Sequence, residues 1–138
     1  MRTYSTHLVE EALSRYKDLE TIPDVGEWLA NPMNIALTNA AGDVTMFERQ
    51  HALPDTVCGH YFFKSRGKEA YLAAKEMLDE VWQPSYGLAR IIGLTPVEHE
   101  AAYWLSRKLG FKDHGTMELD GGEYSFLLML KEDWSSGE

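Results

Sequence analysis

Lys64, Arg66 and Lys68 alternate along five residues of a chain that is otherwise acidic. They belong to "FFKSRGKEAYLAAKEML", residues 62 to 78, where an apolar run meets a glycine-containing turn and an amphipathic helix follows. That order can hold an anion. The first turn of a helix leaves N–H donors unsatisfied and carries the positive end of the helix dipole. Cations are disfavoured there, so three of them make sense when an anion shares the place. Three occupants stay open: solvent alone, a small phosphate-bearing ligand, or a phosphate carried by a protein or nucleic acid. A second group is His99, Tyr103 and Ser106, whose spacings of four and three put them along one side of a helix. A polar face turned to solvent is the plain alternative.

The other reactive residues are scattered. Cys58 is the only cysteine, which excludes an internal disulfide and a thiolate metal cluster. In the apolar stretch "TVCGHYFF" it reads as a small core residue, with no base beside it in sequence to activate it. His60 lies in the same stretch and could face the open side of a sheet. Glu48 alternates with Met46 and Gln50; it could face the open side of the sheet, and reads first as an edge-strand charge. His7, His51 and His114 have no partners at metal-ligand spacing, and no His-Glu-x-x-His pattern occurs, so no metal site is expected.

These groups need elements to position them. Residues 6 to 19 place Leu8, Val9, Ala12, Leu13 and Tyr16 on one helical face. Asp24 and Glu27 read as a capping box for a short helix ending near Pro32. "MNIALTN" and "VTMFERQ" around "AAGD" predict a β-hairpin. "TVCGHYFF" predicts a third strand, the residues from Glu69 to Trp82 a helix, and the apolar "LARIIGL" a buried strand. Thr95, Pro96 and Glu98 carry the signature of a helix start. Val97, Ala101, Trp104, Leu105 and Leu109 would be its apolar face, and Gly110 its left-handed cap. "DHGTMEL" and "YSFLLML" around "DGGE" predict a closing hairpin. Helices alternate with strands only in the middle, which implies an α/β, mixed α+β chain: a mixed sheet flanked by helices.

The 138 residues suffice for one domain, 1–138, with N-terminal helices over 1–33 and a polar tail at 130–138 that is expected to fray. Thirteen basic against 22 acidic residues give a formal charge of −9, which argues against broad binding to nucleic acid or an anionic membrane. No stretch reaches the roughly 18 apolar residues of a membrane span. The start "MRTYSTHLVEEALSRY" lacks a signal peptide's apolar segment, so a soluble, non-secreted protein is expected.

From about residue 34 the chain resembles the GCN5-related N-acetyltransferase (GNAT) superfamily. "YFFKSRGKEAYLAAKEML" is similar to that family's strand, pyrophosphate loop and helix, and "WLSRKLGF" followed by a hairpin is similar to its closing part. "KEAYLAAKEML", "GLTPVEH" and "SRKLGFKDHG" also resemble the small internal virion and head-assembly proteins of short-tailed bacteriophages. The resemblance implies a twisted mixed sheet whose two middle strands, "TVCGHYFF" and "LARIIGL", are parallel and splay apart under the loop. It also implies acetyl-CoA as cofactor, held by Phe63, Lys64, Ser65, Arg66, Gly67, Lys68, Glu69 and Ala70. The family pattern is Gln or Arg, two residues, Gly, one residue, then Gly or Ala. Counted from Lys64, Gly67 fits but Glu69 departs; counted from Arg66, Glu69 and Tyr71 take both glycine places. The family's frequent thiolate-protonating tyrosine falls on Ser106 and its asparagine on His99, leaving Tyr103 or a water as the acid. Two functions therefore stay open. One is a degenerate, non-catalytic protein of the virion-assembly type with a protein partner, in the host cytoplasm or the particle. The other is an acetyl-CoA-dependent N-acetyltransferase acting on an amine.

Overall fold

A computed structural model of the chain describes residues 1–15 and 24–134. Alternating apolar residues build its centre. Strands β1 (Ile35–Thr38), β2 (Val44–Gln50), β3 (Leu53–Phe62), β4 (Arg90–Pro96), β5 (Lys112–Leu119) and β6 (Gly122–Leu130) form one six-stranded sheet. Its order is β1-β2-β3-β4-β6-β5. Every neighbouring pair is antiparallel except β3 and β4. Both expected hairpins form. The β5–β6 turn places Asp120 and Gly121 at φ 49° and 81°, the left-handed pair that a two-residue hairpin loop requires. Residues 1–3 extend the β1 edge, with the Thr3 N–H donating to the Ala36 carbonyl at 2.9 Å.

Among the described residues four α-helices cover this sheet: α1 (Thr6–Ser14), α2 (Val25–Ala30), α3 (Gly67–Val81) and α4 (Glu100–Leu109). The Asp24 side chain caps α2 by accepting the Glu27 N–H at 3.0 Å, as its sequence predicts. On one face α1 and α2 bury Val9, Ala12 and Leu29 against Ala36, Val44, Met46 and Phe62. On the other, α3 and α4 bury Ala74, Met77, Leu78, Val81 and Leu109 against Ile35, Phe47, Val57, Ile91 and Leu127. Helix α1 spans Thr6–Ser14, and the rest of the expected stretch, with Tyr16, lies outside the described residues.

Three expectations need correcting. Thr95 and Pro96 do not start a helix: β4 runs through them, paired with Ser125 and Tyr124 of β6, and α4 starts at Glu100 with His99 as its N-cap. A whole ladder of cross-strand pairs outweighs a local capping signal. Pro96 is tolerated because β3 has already left that side of β4, so no ladder partner there needs its N–H. With the start shifted, the buried residues of α4 are Ser106 and Leu109, while Val97 and Trp104 are exposed. The tail is also more ordered than expected. Leu130 ends β6, and the Trp134 indole N–H donates to Asp79 on α3 at 2.7 Å. Residues 135–138 lie outside the described residues.

The β3–β4 junction positions everything that follows. The two strands pair only at Thr56–Arg90, Val57–Ile91 and Cys58–Ile92, then run on separately to Phe62 and Pro96. Arg90 ties the closed end, donating to Thr56 Oγ1 at 3.0 Å and Asp55 Oδ1 at 2.9 Å. At the opening each strand carries a glycine, Gly59 and Gly93. A Cβ on Gly59 would lie 3.3 Å from the Phe47 ring. The result is a V between two parallel strands, with α3 starting above one arm.

Candidate functional site

The loop at the top of that V is held from below. Asp43 ends the β1–β2 turn, and the β2–β3 register, Val44 opposite Phe62, carries it to the foot of the loop. Its carboxylate accepts the Lys64 N–H at 2.7 Å and the Ser65 N–H at 2.9 Å on Oδ1. The Ser65 hydroxyl donates to Oδ2 at 2.6 Å, and so does the Asn39 amide at 3.0 Å. Asp43 is wholly buried. Burial by itself would raise its pKa; the hydrogen bonds from Ser65, Asn39 and Lys64 together outweigh it and hold the carboxyl below the usual range. The protein therefore supplies its own anion to two of the loop's donors.

The three cations diverge. Lys64 reaches back over Gly42 and pairs with Glu11 of α1 at 3.2 Å. Arg66 curls onto its own loop, its Nη1 donating to the carbonyls of Phe63 at 2.8 Å and Ser65 at 3.1 Å. Lys68 is exposed and makes no ion pair among the described residues. Gly67 adopts φ 57° and opens α3. Ala70 is the first residue whose N–H bonds back, to the Arg66 carbonyl at 3.4 Å, so the N–H groups of Gly67, Lys68 and Glu69 remain. Glu69, in that first turn, puts a carboxylate where the dipole favours negative charge. Phe63 is buried in the core with Ala70. Tyr71, which takes a glycine place of the family pattern, is packed against that core, and the Lys108 ammonium of α4 lies 4.7 Å from its ring centre.

On α4 the expected trio does not converge. His99 is exposed at the N-cap, Ser106 is buried, and the Tyr103 hydroxyl donates to Asp113 Oδ2 of β5 at 2.6 Å. That bond to a carboxylate pushes the Tyr103 pKa up, which makes it a weaker acid.

A different group gathers on the α1–α2 face of the V. Glu48 stands opposite Cys58 and Met46 opposite His60 across the β2–β3 ladder. β2 is an interior strand, so Glu48 is not an edge charge; it accepts the Trp28 indole N–H of α2 at 3.2 Å. Burial pushes the His60 pKa down and outweighs the opposite pull of Glu48, which leaves a neutral imidazole at pH 7. Burial, helped by Glu48, pushes the Cys58 thiol up to about 11, against the Leu94 backbone N–H, which lowers it. A thiol that is protonated at pH 8 does not act as a nucleophile. Native protein should therefore resist iodoacetamide at pH 8 and react fully once unfolded in urea; rapid native alkylation, followed by mass spectrometry, would contradict the burial.

Asp43, Asn39 and Asp113 are the residues that sequence reasoning passed over. Asp43 and Asn39 read as turn formers in "TNAAGD". The strand register was the available signal: pairing "VTMFERQ" with "TVCGHYFF" as a hairpin places residue 43 beside the loop. Among the described residues no three His, Cys, Asp or Glu side chains come together as a metal would need. No helix of the described residues is long and apolar enough to cross a membrane.

The arrangement of sheet and helices as a whole is similar to that of solved acetyltransferase structures. The chain has the GNAT acetyltransferase fold. A protein of Acinetobacter baylyi assigned as an acetyltransferase matches with a TM-score of 0.71 at 19% identity, over 94% of this chain and 90% of that one. A spermidine N-acetyltransferase chimera from Vibrio cholerae and human sequences gives 0.67 at 14%, covering 92% of each chain. AAC(6′)-Ib, solved with paromomycin and acetyl-CoA, gives 0.66 at 16%, over 96% of this chain and 92% of that one. No family model and no curated protein matches the sequence. Such coverage takes in the N-terminal helices, so the likeness that sequence shows only from about residue 34 extends structurally to nearly the whole chain.

Proposed function

We propose that this chain is a GNAT-fold protein that does not turn over acetyl-CoA, and that it serves as a protein-binding component of the virion and head-assembly type its sequence resembles. The observation that carries the first part is the occupied loop. Asp43 already takes the Lys64 and Ser65 N–H donors, and Lys64 and Arg66 are spent on Glu11 and on loop carbonyls. A pyrophosphate brought to the remaining donors meets the Glu69 carboxylate where the family has glycine or alanine. At close range like charges cost on the order of 1 kcal/mol or more. The residues present do not fit the cofactor. The formal charge of −9 supports the second part, since it suits docking on proteins better than contact with packaged DNA.

Calorimetry tests the loop directly. Acetyl-CoA titrated into the full chain should give no saturable heat in the millimolar range. Micromolar binding that disappears in Gly67→Trp would overturn the proposal. For the assembly role, a tagged chain produced during infection by the encoding phage should sediment with heads; recovery in the soluble fraction alone would reject it.

A second reading, an N-acetyltransferase acting on an amine, is favoured by one observation. A neutral His60 with Glu48 nearby stands on the α1–α2 face of the V and is in the right protonation state to take a proton from an ammonium group. Acetyl transfer to a panel of primary amines, lost in His60→Ala, would select this reading.

A further inference from the structure

Among the described residues, the strand side chains that α1 and α2 bury come from β1, β2 and β3: Ala36, Val44, Met46 and Phe62. On the same side of the sheet, β4, β6 and β5 turn up a second apolar block. The β3–β4 register carries this side across, with Ile92 beside Cys58. Ile92 then stands beside Leu128, Leu94 beside Phe126, and Tyr124 between Pro96 and Met117. These side chains are half-buried or, at Met117, 38% exposed, and none belongs to either core. We infer that this block seats one amphipathic helix of a partner protein, apolar along one stripe and acidic on the flank that meets β5. The class of partner rests on the protein-binding reading above; the surface does not.

Size selects a helix over a second copy of the chain. Three strands are about 14 Å wide, and the seven residues of β4 are about 23 Å long. The block therefore measures roughly 300 Å², well short of the ~800 Å² that each partner gives a standard interface. It matches a helix about 10–12 Å across, of which about fifteen residues span 23 Å. Helices α1 and α2 already pack on the neighbouring strands in this way, so one more completes the layer. Charge selects the flank. The hairpin carboxylates Asp113, Glu118 and Glu123 alternate onto the opposite side of the sheet, where Asp113 meets Tyr103 of α4. No carboxylate of β4, β5 or β6 is turned to the block. Lys112 and His114 border it instead. The Lys112 side chain is 67% exposed and pairs loosely with Asp133 at 3.7 Å, and the His114 ring stands edge-on to Phe126.

The test follows methyl groups of the full chain by NMR, in about 0.15 M salt so that its overall charge is screened beyond about 8 Å. The probe is a helical peptide of about fifteen residues, with leucines along one stripe and glutamates beside it. It should shift the Ile92, Leu94 and Met117 methyl signals saturably and leave those of Leu72, exposed on α3, in place. The same peptide with serine for leucine should shift none. A lysine-flanked version should bind several-fold more weakly; tighter binding would overturn the acidic flank. Met117→Glu and Leu119→Glu change exposed positions of the edge strand. Each should weaken the probe by about tenfold, the size of one apolar side chain kept from burial, whereas Trp104→Ala, on α4, should not. Absence of a saturable shift, or binding indifferent to both glutamates, would overturn the inference. So would self-association in sedimentation equilibrium that Met117→Glu abolishes, because a second copy would then own the block. Infection separates this surface from the assembly role. If the native chain and Met117→Glu sediment with heads alike, the surface is wrong and the role stands. If neither sediments while the probe binds the native chain, the role fails and the surface stands.

Discussion

Asp43→Ala should destabilise the protein by about 3–5 kcal/mol at neutral pH, the scale of losing several hydrogen bonds to one buried carboxylate together. Four donors depend on this carboxylate: the Lys64 and Ser65 amides, the Ser65 hydroxyl and the Asn39 side chain. Alanine leaves them in a place water reaches poorly, and each buried unsatisfied donor costs roughly 1–3 kcal/mol. For a chain of this size the melting temperature should fall by roughly 10–15 °C. The pH dependence follows from the direction of the shift. Folding lowers the Asp43 pKa, so its contribution is complete above the unfolded value of about 3.9. It drains away as pH falls through the lower folded value. Asp43→Asn should therefore be less stable than the native chain at pH 7 and show a shallower loss of stability toward acid. Urea unfolding at a series of pH values measures both. Equal stability of Asp43→Asn and native protein at neutral pH would mean that the charge contributes nothing.

Phe47→Ala should cost a similar amount, about 3–5 kcal/mol, by emptying the centre of the core under α3. The ring is fully buried and lies against Gly59, where β3 leaves β4. The two positions are matched. A methyl group on Gly59 would come 3.3 Å from the Phe47 ring and 3.5 Å from Ile91. Gly59→Ala alone should therefore destabilise, by the roughly 1–3 kcal/mol of an overpacked core. In the Phe47→Ala background the same methyl enters vacated space and should cost far less. The double-mutant cycle should give a coupling of about 0.5–3 kcal/mol. Additive effects in urea denaturation would show that ring and glycine are not packed as partners, and the glycine would need another explanation at the mouth of the V.

Loop and ligand chemistry are easily confused in this fold. Three cations before a helix look like a phosphate cradle when read along the chain. In space, Lys64 neutralises α1 and Arg66 stitches the loop to itself. The positive charge is the same in both readings; only its direction differs. The stability of the loop follows from that arrangement, with Asp43 beneath.

What the sequence by itself determined was local. The Asp24 cap, the left-handed Gly110 after α4, the two hairpin turns and the apolar stripe of α3 each depend on neighbours within a few residues. Short-range sterics and hydrogen bonds decide such features wherever the segment lies in the fold. The order of strands and helices, and with it the α/β fold, was therefore legible. Tertiary structure decided the rest. Strand register took Thr95 and Pro96 from a promising helix start into β4, turned Trp104 outward and put Ser106 inside. Register also brought Asp43 to a loop some twenty residues away, and set Glu48 beside Cys58 on an interior strand. The direction of a long charged side chain is fixed by whichever partner the fold delivers within a few ångströms, and no spacing along the chain encodes that distance.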